Sequence, residues 1–377
     1  MFENILGQPL VSQLKKDISD KSLAPSLLFY GPAYSGKGST ALELARVLSC
    51  EKEAGLQGAW GCDCVSCEKH RNLTHADFLV LGKKEFSTEI KATAAAFTKD
   101  SANKTAFIRA IQKLMLRFNP IIWQDDPKAS RIAGLTEDVE ESLDSLMAGS
   151  KAWTEKQTEK LISATGKLEA EGVNKDLSVR QARNAAAWCV SSPFGRHKTL
   201  IIENAGAMGD EARNSLLKLL EEPPSTATIV LCASSLGSLL QTIRSRLRPY
   251  RFVQRDKAIE ADIIRRVFKD QGAAARGDTL TGFLDSFLSV SNETISDFAK
   301  QFYKSTLINT IKFDEPGMFK RFLAAILDEV YKDSGSDPII MEKYRKLISD
   351  TAIAVETYNQ NPVSALEGLG YELSNHE

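Results

Sequence analysis

The sequence predicts an α/β domain built on a parallel sheet, with helices alone from there to the C-terminus. Three observations carry that prediction. Four short runs are almost continuously apolar: Leu27-Leu28-Phe29-Tyr30, Phe78-Leu79-Val80-Leu81, Thr199-Leu200-Ile201-Ile202 and Thr228-Ile229-Val230-Leu231-Cys232. Strands covered on both faces read this way. The first run enters Gly31-Pro32 and is followed by a helix-forming stretch, Ser39 to Leu48, which is the strand-loop-helix order of a phosphate-binding loop. After Phe252 the spacing is helical to the end.

Each element follows in order. Leu42, Ala45 and Leu48, with Leu44 beside them, make one apolar face of the first of these helices. Residues 84–176 are rich in Ala, Lys, Glu and Ser, with helical spacing at Ile108, Ile111 and Leu114 and again at Leu143, Leu146 and Met147. That stretch reads as a helical insertion. Asp210 to Glu222 reads as a helix with Asp210 as N-cap, and Pro223 ends it by disfavouring the αR conformation at Glu222. Thr242 to Arg246 reads as an amphipathic helix. Beyond Phe252, breaks are expected at Gly272–Gly277, Asp314–Gly317 and Ser334–Pro338. The expected domains are 1–252, with a cysteine module at about 50–75, then a small helical lid at 253–291 and an all-α domain at 292–377.

Composition narrows the function classes. A chain of 377 residues can hold two or three cored domains. No apolar run reaches the roughly 18 residues of a membrane span. Met1 to Gln8 lacks the basic start of a secretory signal, so a cytoplasmic location is expected. With 48 basic and 49 acidic side chains, the chain lacks the excess of a protein that grips DNA alone. Contact with nucleic acid is therefore local or shared with partners.

Gly31-Pro-Ala-Tyr-Ser-Gly36-Lys37-Gly38 matches the G-x-x-x-x-G-K-[ST] loop except at its last position. The glycines let backbone N–H groups surround phosphate oxygens, and Lys37 can reach the outer phosphates. The usual hydroxyl would ligate Mg²⁺, and Gly38 has none. Ser39 is the next hydroxyl, but one helical step turns it about 100° away. The second half of such a site is an Asp-Glu pair at a strand end, for the metal shell and the attacking water. Here Ile201-Ile202 is followed by Glu203-Asn204, and Asn204 cannot accept a proton. Phosphate binding with impaired catalysis fits better than a chance glycine turn.

Four of six cysteines, Cys50, Cys62, Cys64 and Cys67, fall close together. In a chain without an export signal such clustering favours a metal over disulfides. Four thiolates suffice for a closed structural Zn²⁺ site. The single residue between Cys62 and Cys64 demands an unusual turn, and His70 or His75 could substitute. The alternative is a set of reduced cysteines. Cys189 and Cys232 sit in apolar stretches and read as core.

Phe2-Glu-Asn-Ile-Leu-Gly7-Gln8, the Gly31–Lys37 loop, the cysteines, His75-Ala-Asp77, Asn214 to Pro224 with its Leu-Glu-Glu-Pro-Pro end, and Ser245-Arg246 together resemble bacterial DNA polymerase III clamp-loader subunits of the delta-prime and gamma/tau type. Val179-Arg-Gln-Ala-Arg183 and Pro193 to Lys198 add to the match, which covers roughly 1–83 and 177–252. The resemblance implies an AAA+ P-loop core with a zinc-module insertion, a helical lid and a C-terminal collar. It implies a hetero-pentamer with gamma/tau and delta subunits that opens the sliding clamp and places it on primed DNA. It also implies that Arg246 acts in trans as an arginine finger on a neighbouring ATP site. Gamma/tau keeps both the hydroxyl and the Asp-Glu pair, so the losses at Gly38 and Asn204 point to the delta-prime branch. The subunit would then belong to a polymerase assembly without hydrolysing ATP itself. Its own site is left either empty or holding ATP without turnover. Leu247 stands where the family's Ser-Arg-Cys has cysteine, the cysteine spacing is altered, and 84–176 has no recognised counterpart. An active gamma/tau-like motor and a vestigial zinc scaffold or regulator are the competing readings.

Overall fold

The computed structural model describes the chain except residues 54–56, 150–152, 174–176, 289–291, 306–317, 334–337, 357–359 and 375–377. It divides into two compact units, Met1–Phe283 and Leu284–Glu377.

The first unit is built on five strands: β1 (Ser26–Tyr30), β2 (Phe78–Leu81), β3 (Lys198–Ile202), β4 (Ala227–Ala233) and β5 (Arg248–Arg251). Their order is β2-β3-β4-β1-β5, and every pair is parallel. Strand side chains alternate between faces, and both faces are apolar. Leu28, Leu79, Leu81, Leu200, Ile202 and Ile229 enter one core, whereas Leu27, Phe29, Phe78, Val80, Ile201 and Val230 enter the other. This is why the four runs lack a polar face. The smaller core is covered by α1 (Leu10–Ser19) and α2 (Lys37–Leu48), through Leu10, Leu14, Leu44 and Val47. α3 (Val65–Arg71) carries part of the cysteine module. The fold is the parallel α/β core expected from the sequence.

The larger core is covered by the helices of 84–176: α4 (Ser87–Lys99), α5 (Lys104–Met115), α6 (Pro120–Trp123), α7 (Ala129–Ala148) and α8 (Glu155–Gly172). α9 (Val179–Val190) and α10 (Asp210–Glu221) complete that layer. Phe107, Ile111, Leu114, Val139 and Leu161 are fully buried in the same cluster as the sheet residues. The helical stretch is thus part of the core rather than an appendage.

Several local expectations change. β5, Arg-Pro-Tyr-Arg, was not expected, because only Tyr250 is buried. It is an edge strand, where proline is tolerated, and Tyr250 anchors it by donating to Asp17 of α1 at 2.5 Å. The helix at Thr242 to Arg246 is only α11 (Gln241–Arg244), and Arg246 lies in the turn between it and β5. Asp210 is the first helical residue of α10 rather than its cap, which is Gly209. After α12 (Lys257–Ile263), residues 271–276 form α13 (Gln271–Arg276) instead of a break, and Gly277 closes it in a left-handed conformation at φ 72°. The expected break at 314–317 lies outside the described residues, as does the expected break at 334–338 except for Pro338, which begins the last long helix but one. A short α14 (Leu280–Asp285) follows.

The second unit holds α15 (Asn292–Ser305), α16 (Met318–Asp333), α17 (Pro338–Glu356) and α18 (Pro362–Ser374). Ile295, Phe302, Phe322, Ile326, Val330 and Leu366 form its core.

One carboxylate ties the helical stretch together at an electrostatic cost. Glu169 of α8 is 1% exposed and accepts from the Phe86 N–H at 2.9 Å, at the start of α4. Its other oxygen has no hydrogen-bond partner among the described residues. Burial raises its pKa to about 7, against the pull of the Phe86 and Ser87 N–H groups. A carboxyl raised in the folded state binds protons that the unfolded state has already released. Its contribution to stability therefore falls as pH rises from the unfolded value near 4.5 to about 7. Glu169→Gln keeps the acceptor and removes the charge. We expect the variant to gain on the order of 2 kcal/mol over the wild type between pH 5 and pH 8, read as the difference in urea midpoints at the two pH values.

Candidate functional site

The phosphate loop joins β1 to α2. Gly31 has φ 147° and passes so close to Phe252 that an added Cβ would stand 2.9 Å from that residue's Cβ. Gly36, at φ 96°, caps α2 in the left-handed region. Only glycine takes these two conformations without strain. Lys37 opens the helix, and its ammonium donates to the carbonyls of Gly31 at 2.7 Å and Pro32 at 2.5 Å. The loop is held from outside by Arg255, which donates from Nε to Leu6 O at 3.1 Å and also to Tyr34 O. Gln8 pairs with both backbone groups of Val253, at 2.9 and 3.0 Å. Arg255 carries no motif and was not expected. The N-terminal segment, the loop and the chain after β5 are thereby stitched together.

Glu203 leaves the end of β3, with β4 between it and the phosphate loop. Its carboxylate is not free. Arg117, in the single turn Leu116–Phe118 after α5, forms an ion pair with Oε2, and Lys84 Nζ stands 3.5 Å from Oε1. Burial alone would raise the pKa of Glu203, but Lys84 and Arg117 outweigh it and hold the carboxyl below its usual range. Gly38 faces the same carboxylate. A Cβ there would lie 3.2 Å from the Glu203 carboxyl carbon and would overlap Oε1. A serine or threonine hydroxyl therefore has no room beside Glu203 as it stands. Asn204 is exposed, with φ 51°, at the start of a 3₁₀ turn. Asparagine tolerates that left-handed conformation better than glutamate does. The residue set does not fit a nucleotide-bound Mg²⁺.

The cysteine module is a second site. The sulfurs of Cys50, Cys62, Cys64 and Cys67 all lie within 4.8 Å of one another. The Cys50–Cys62 and Cys50–Cys64 separations are 3.7 and 4.0 Å, close to the roughly 3.8 Å edge of a tetrahedron with Zn–S bonds of about 2.3 Å. Cys64 caps α3, its sulfur accepting from the Cys67 N–H at 3.4 Å. Cys62 and Cys64 thus both reach the cluster. Neither histidine joins it. The rings of His70 and His75 stack at 4.1 Å. His75 uses both nitrogens, accepting from Asp77 N–H at 3.0 Å and meeting Ser66 Oγ at 3.1 Å. Asp77 in turn accepts from the N–H groups of Phe194 and Gly195 at 2.9 and 2.6 Å. The His-Ala-Asp segment therefore fastens α3 and the loop before β3. Arg46, 2% exposed, pairs with Glu43 at 2.7 Å and places Nη1 3.1 Å from Cys67 Sγ. Burial pushes the Cys67 thiol up and the Arg46 guanidinium opposes that rise; four sulfurs at this spacing are a donor set that suits a metal ion. Cys189 and Cys232 are buried core residues, as expected.

Arg246 is separate from both sites. It is half-buried, with Nη2 2.5 Å from Glu221 at the end of α10 and Nη1 donating to Thr242 O.

Comparison with known proteins places this geometry. The family model described as DNA polymerase III, delta subunit, matches residues 7–117 and 151–256, more than half of the chain. The delta′ subunit of DNA polymerase III from Pseudomonas aeruginosa is 38% identical over 80 residues, 21% of this chain. The chain matches 24% of that relative's length. A crystal structure of a DNA polymerase III gamma subunit-related protein from Thermotoga maritima aligns with 96% of this chain and 98% of its own, at 14% identity and a TM-score of 0.41. Among the described residues, no helix is long and apolar enough to cross a membrane. The chain belongs to the DNA polymerase III delta-subunit family of clamp-loader subunits.

Proposed function

We propose that the chain is a non-hydrolysing clamp-loader subunit of the delta-prime type, which helps place the sliding clamp on primed DNA. The observation that supports this best is the contact between Gly38 and Glu203. The metal hydroxyl is missing, its space is taken by the carboxylate, and that carboxylate is already paired. Asn204, at the water-activating position, has no basic group to offer. Family membership supports a place beside other subunits of the polymerase assembly. Gamma/tau and delta subunits in a five-membered ring are the proposed partners, with 292–377 in its collar and 253–291 as its lid.

In this reading the subunit gives rather than uses an arginine. Arg246 is 31% exposed, and its one carboxylate partner among the described residues, Glu221, is itself 48% exposed. An exposed pair is worth only about 0–1 kcal/mol, so a neighbour's phosphate can compete for the guanidinium. The four cysteines are proposed to hold a structural Zn²⁺. All four positions would be filled by protein sulfur, which leaves no open position for chemistry.

Two tests follow from this. In a reconstituted loader, Arg246→Ala should slow hydrolysis at the adjoining subunit's site by a factor on the order of 10³. The variant's own melting temperature should stay near that of the wild type, as expected for loss of an exposed pair. Unchanged clamp- and DNA-stimulated ATPase would remove the finger assignment. For the cysteines, elemental analysis of the purified protein should find zinc stoichiometric with the chain, and Cys67→Ser should lose it. The variant should also melt several degrees lower, because a structural zinc contributes directly to folding. A metal-free protein of full stability would contradict the zinc proposal.

A further inference from the structure

The helices of 84–176 bring two cations to a carboxylate of the phosphate-loop site. We propose that Arg117 and Lys84 are a built-in counterion that fills the divalent-cation position at Glu203, so that docking of the helical stretch closes the site to metal. This goes beyond the non-hydrolysing reading, since a silent subunit could still hold a metal-nucleotide complex.

The charge balance supports it. Glu203 meets two cationic side chains, the same formal charge that a divalent ion would bring. The guanidinium is 5% exposed and the carboxylate 12%. Arginine stays protonated in proteins and presents a rigid planar fork, so the charge cannot be relieved by loss of a proton. A divalent ion arriving at Glu203 would face both cations at close range and would find no hydroxyl at residue 38.

Arg117 is also fixed in place. Its Nη1 donates to Leu81 O at 3.1 Å, at the end of β2. Its carbonyl accepts from Trp123 Nε1 at 2.8 Å. The neighbouring Phe118 ring stacks on Trp123 at 5.9 Å and fits against Gly172, where an added Cβ would overlap the ring edge. Phe86 lies beneath both cations, with Lys84 Nζ and Arg117 Cζ 5.2 and 5.3 Å from its ring centre. The negative face of an aromatic ring suits such a position. Glu169 fixes Phe86 through its backbone N–H. α5, α6 and α8 thus all hold the cation where it is.

The test is Mn²⁺ titration of the full chain with ATP present, read by electron paramagnetic resonance. The variants are Gly38→Ser, Gly38→Ser/Arg117→Ala, and the latter with Glu203→Gln. We expect no protein-bound Mn²⁺ in the wild type or in Gly38→Ser. Bound Mn²⁺ should appear when Arg117 is also removed, with affinity higher by about tenfold or more, the differential that loss of a nearby like charge provides. It should vanish again with Glu203→Gln. Equal binding in Gly38→Ser with Arg117 intact would overturn the proposal, as would no binding in the folded double variant. Should the double variant not fold, the wild type and Glu203→Gln decide: Mn²⁺ bound by the former and lost in the latter overturns it, and equal indifference supports it. The readout is this chain's own metal, so its failure is distinct from failure of the Arg246 assignment, which is read at the neighbour's site.

Discussion

The ion pair between Arg117 and Glu203 is the constraint on which the site depends. Removing one partner of a buried pair leaves an uncompensated charge, at a cost of about 3–5 kcal/mol. That cost makes the pair a lasting feature of the fold rather than a passing contact. It spans 86 residues of sequence, linking the end of β3 to the turn after α5. Through it the state of the phosphate loop and the packing of the helical stretch become one matter. Gly38 belongs to the same constraint, because a side chain there would displace the carboxylate that Arg117 holds.

The rest of the first unit distributes its tasks around this point. The sheet sets the phosphate loop and Glu203 at the C-terminal ends of β1 and β3, parallel strands on either side of β4, where open α/β sheets place their ligand sites. Arg255 fastens the loop from the other side, while Gln8 fastens the chain after β5. The cysteine module is tied to the same scaffold through Glu43, which binds Arg46 and also accepts from the Phe2 N–H at 3.1 Å. The phosphate loop is thus held by Arg255 from outside and by Lys37 from within. Arg246 lies apart from this network, in the turn between α11 and β5.

Much of this was legible in the sequence, for local reasons. Gly31, Gly36 and Lys37 are recognisable because the loop's geometry demands glycines at fixed offsets. Strands β1 to β4 are recognisable because both of their faces are buried. The cysteines were legible as a set, yet their spacing left the ligands open; the structure brings Cys62 and Cys64 in together and uses the histidines for packing. β5 was invisible because its only buried residue is Tyr250. Arg246 was found by the order of elements, while its helix was overextended. Arg117 and Lys84 could not have been found at all. They meet Glu203 through tertiary packing of a helical stretch, and no periodicity or spacing rule connects residue 117 to residue 203.

The central claim is that Glu203 is neutralised from within. A crystal structure of the full chain grown with Mg²⁺ and ATP tests it most directly. The account predicts the Arg117 guanidinium seated on the Glu203 carboxylate, with no cation bound to either of its oxygens. A Mg²⁺ ion coordinated by Glu203, with Arg117 turned away, would contradict it.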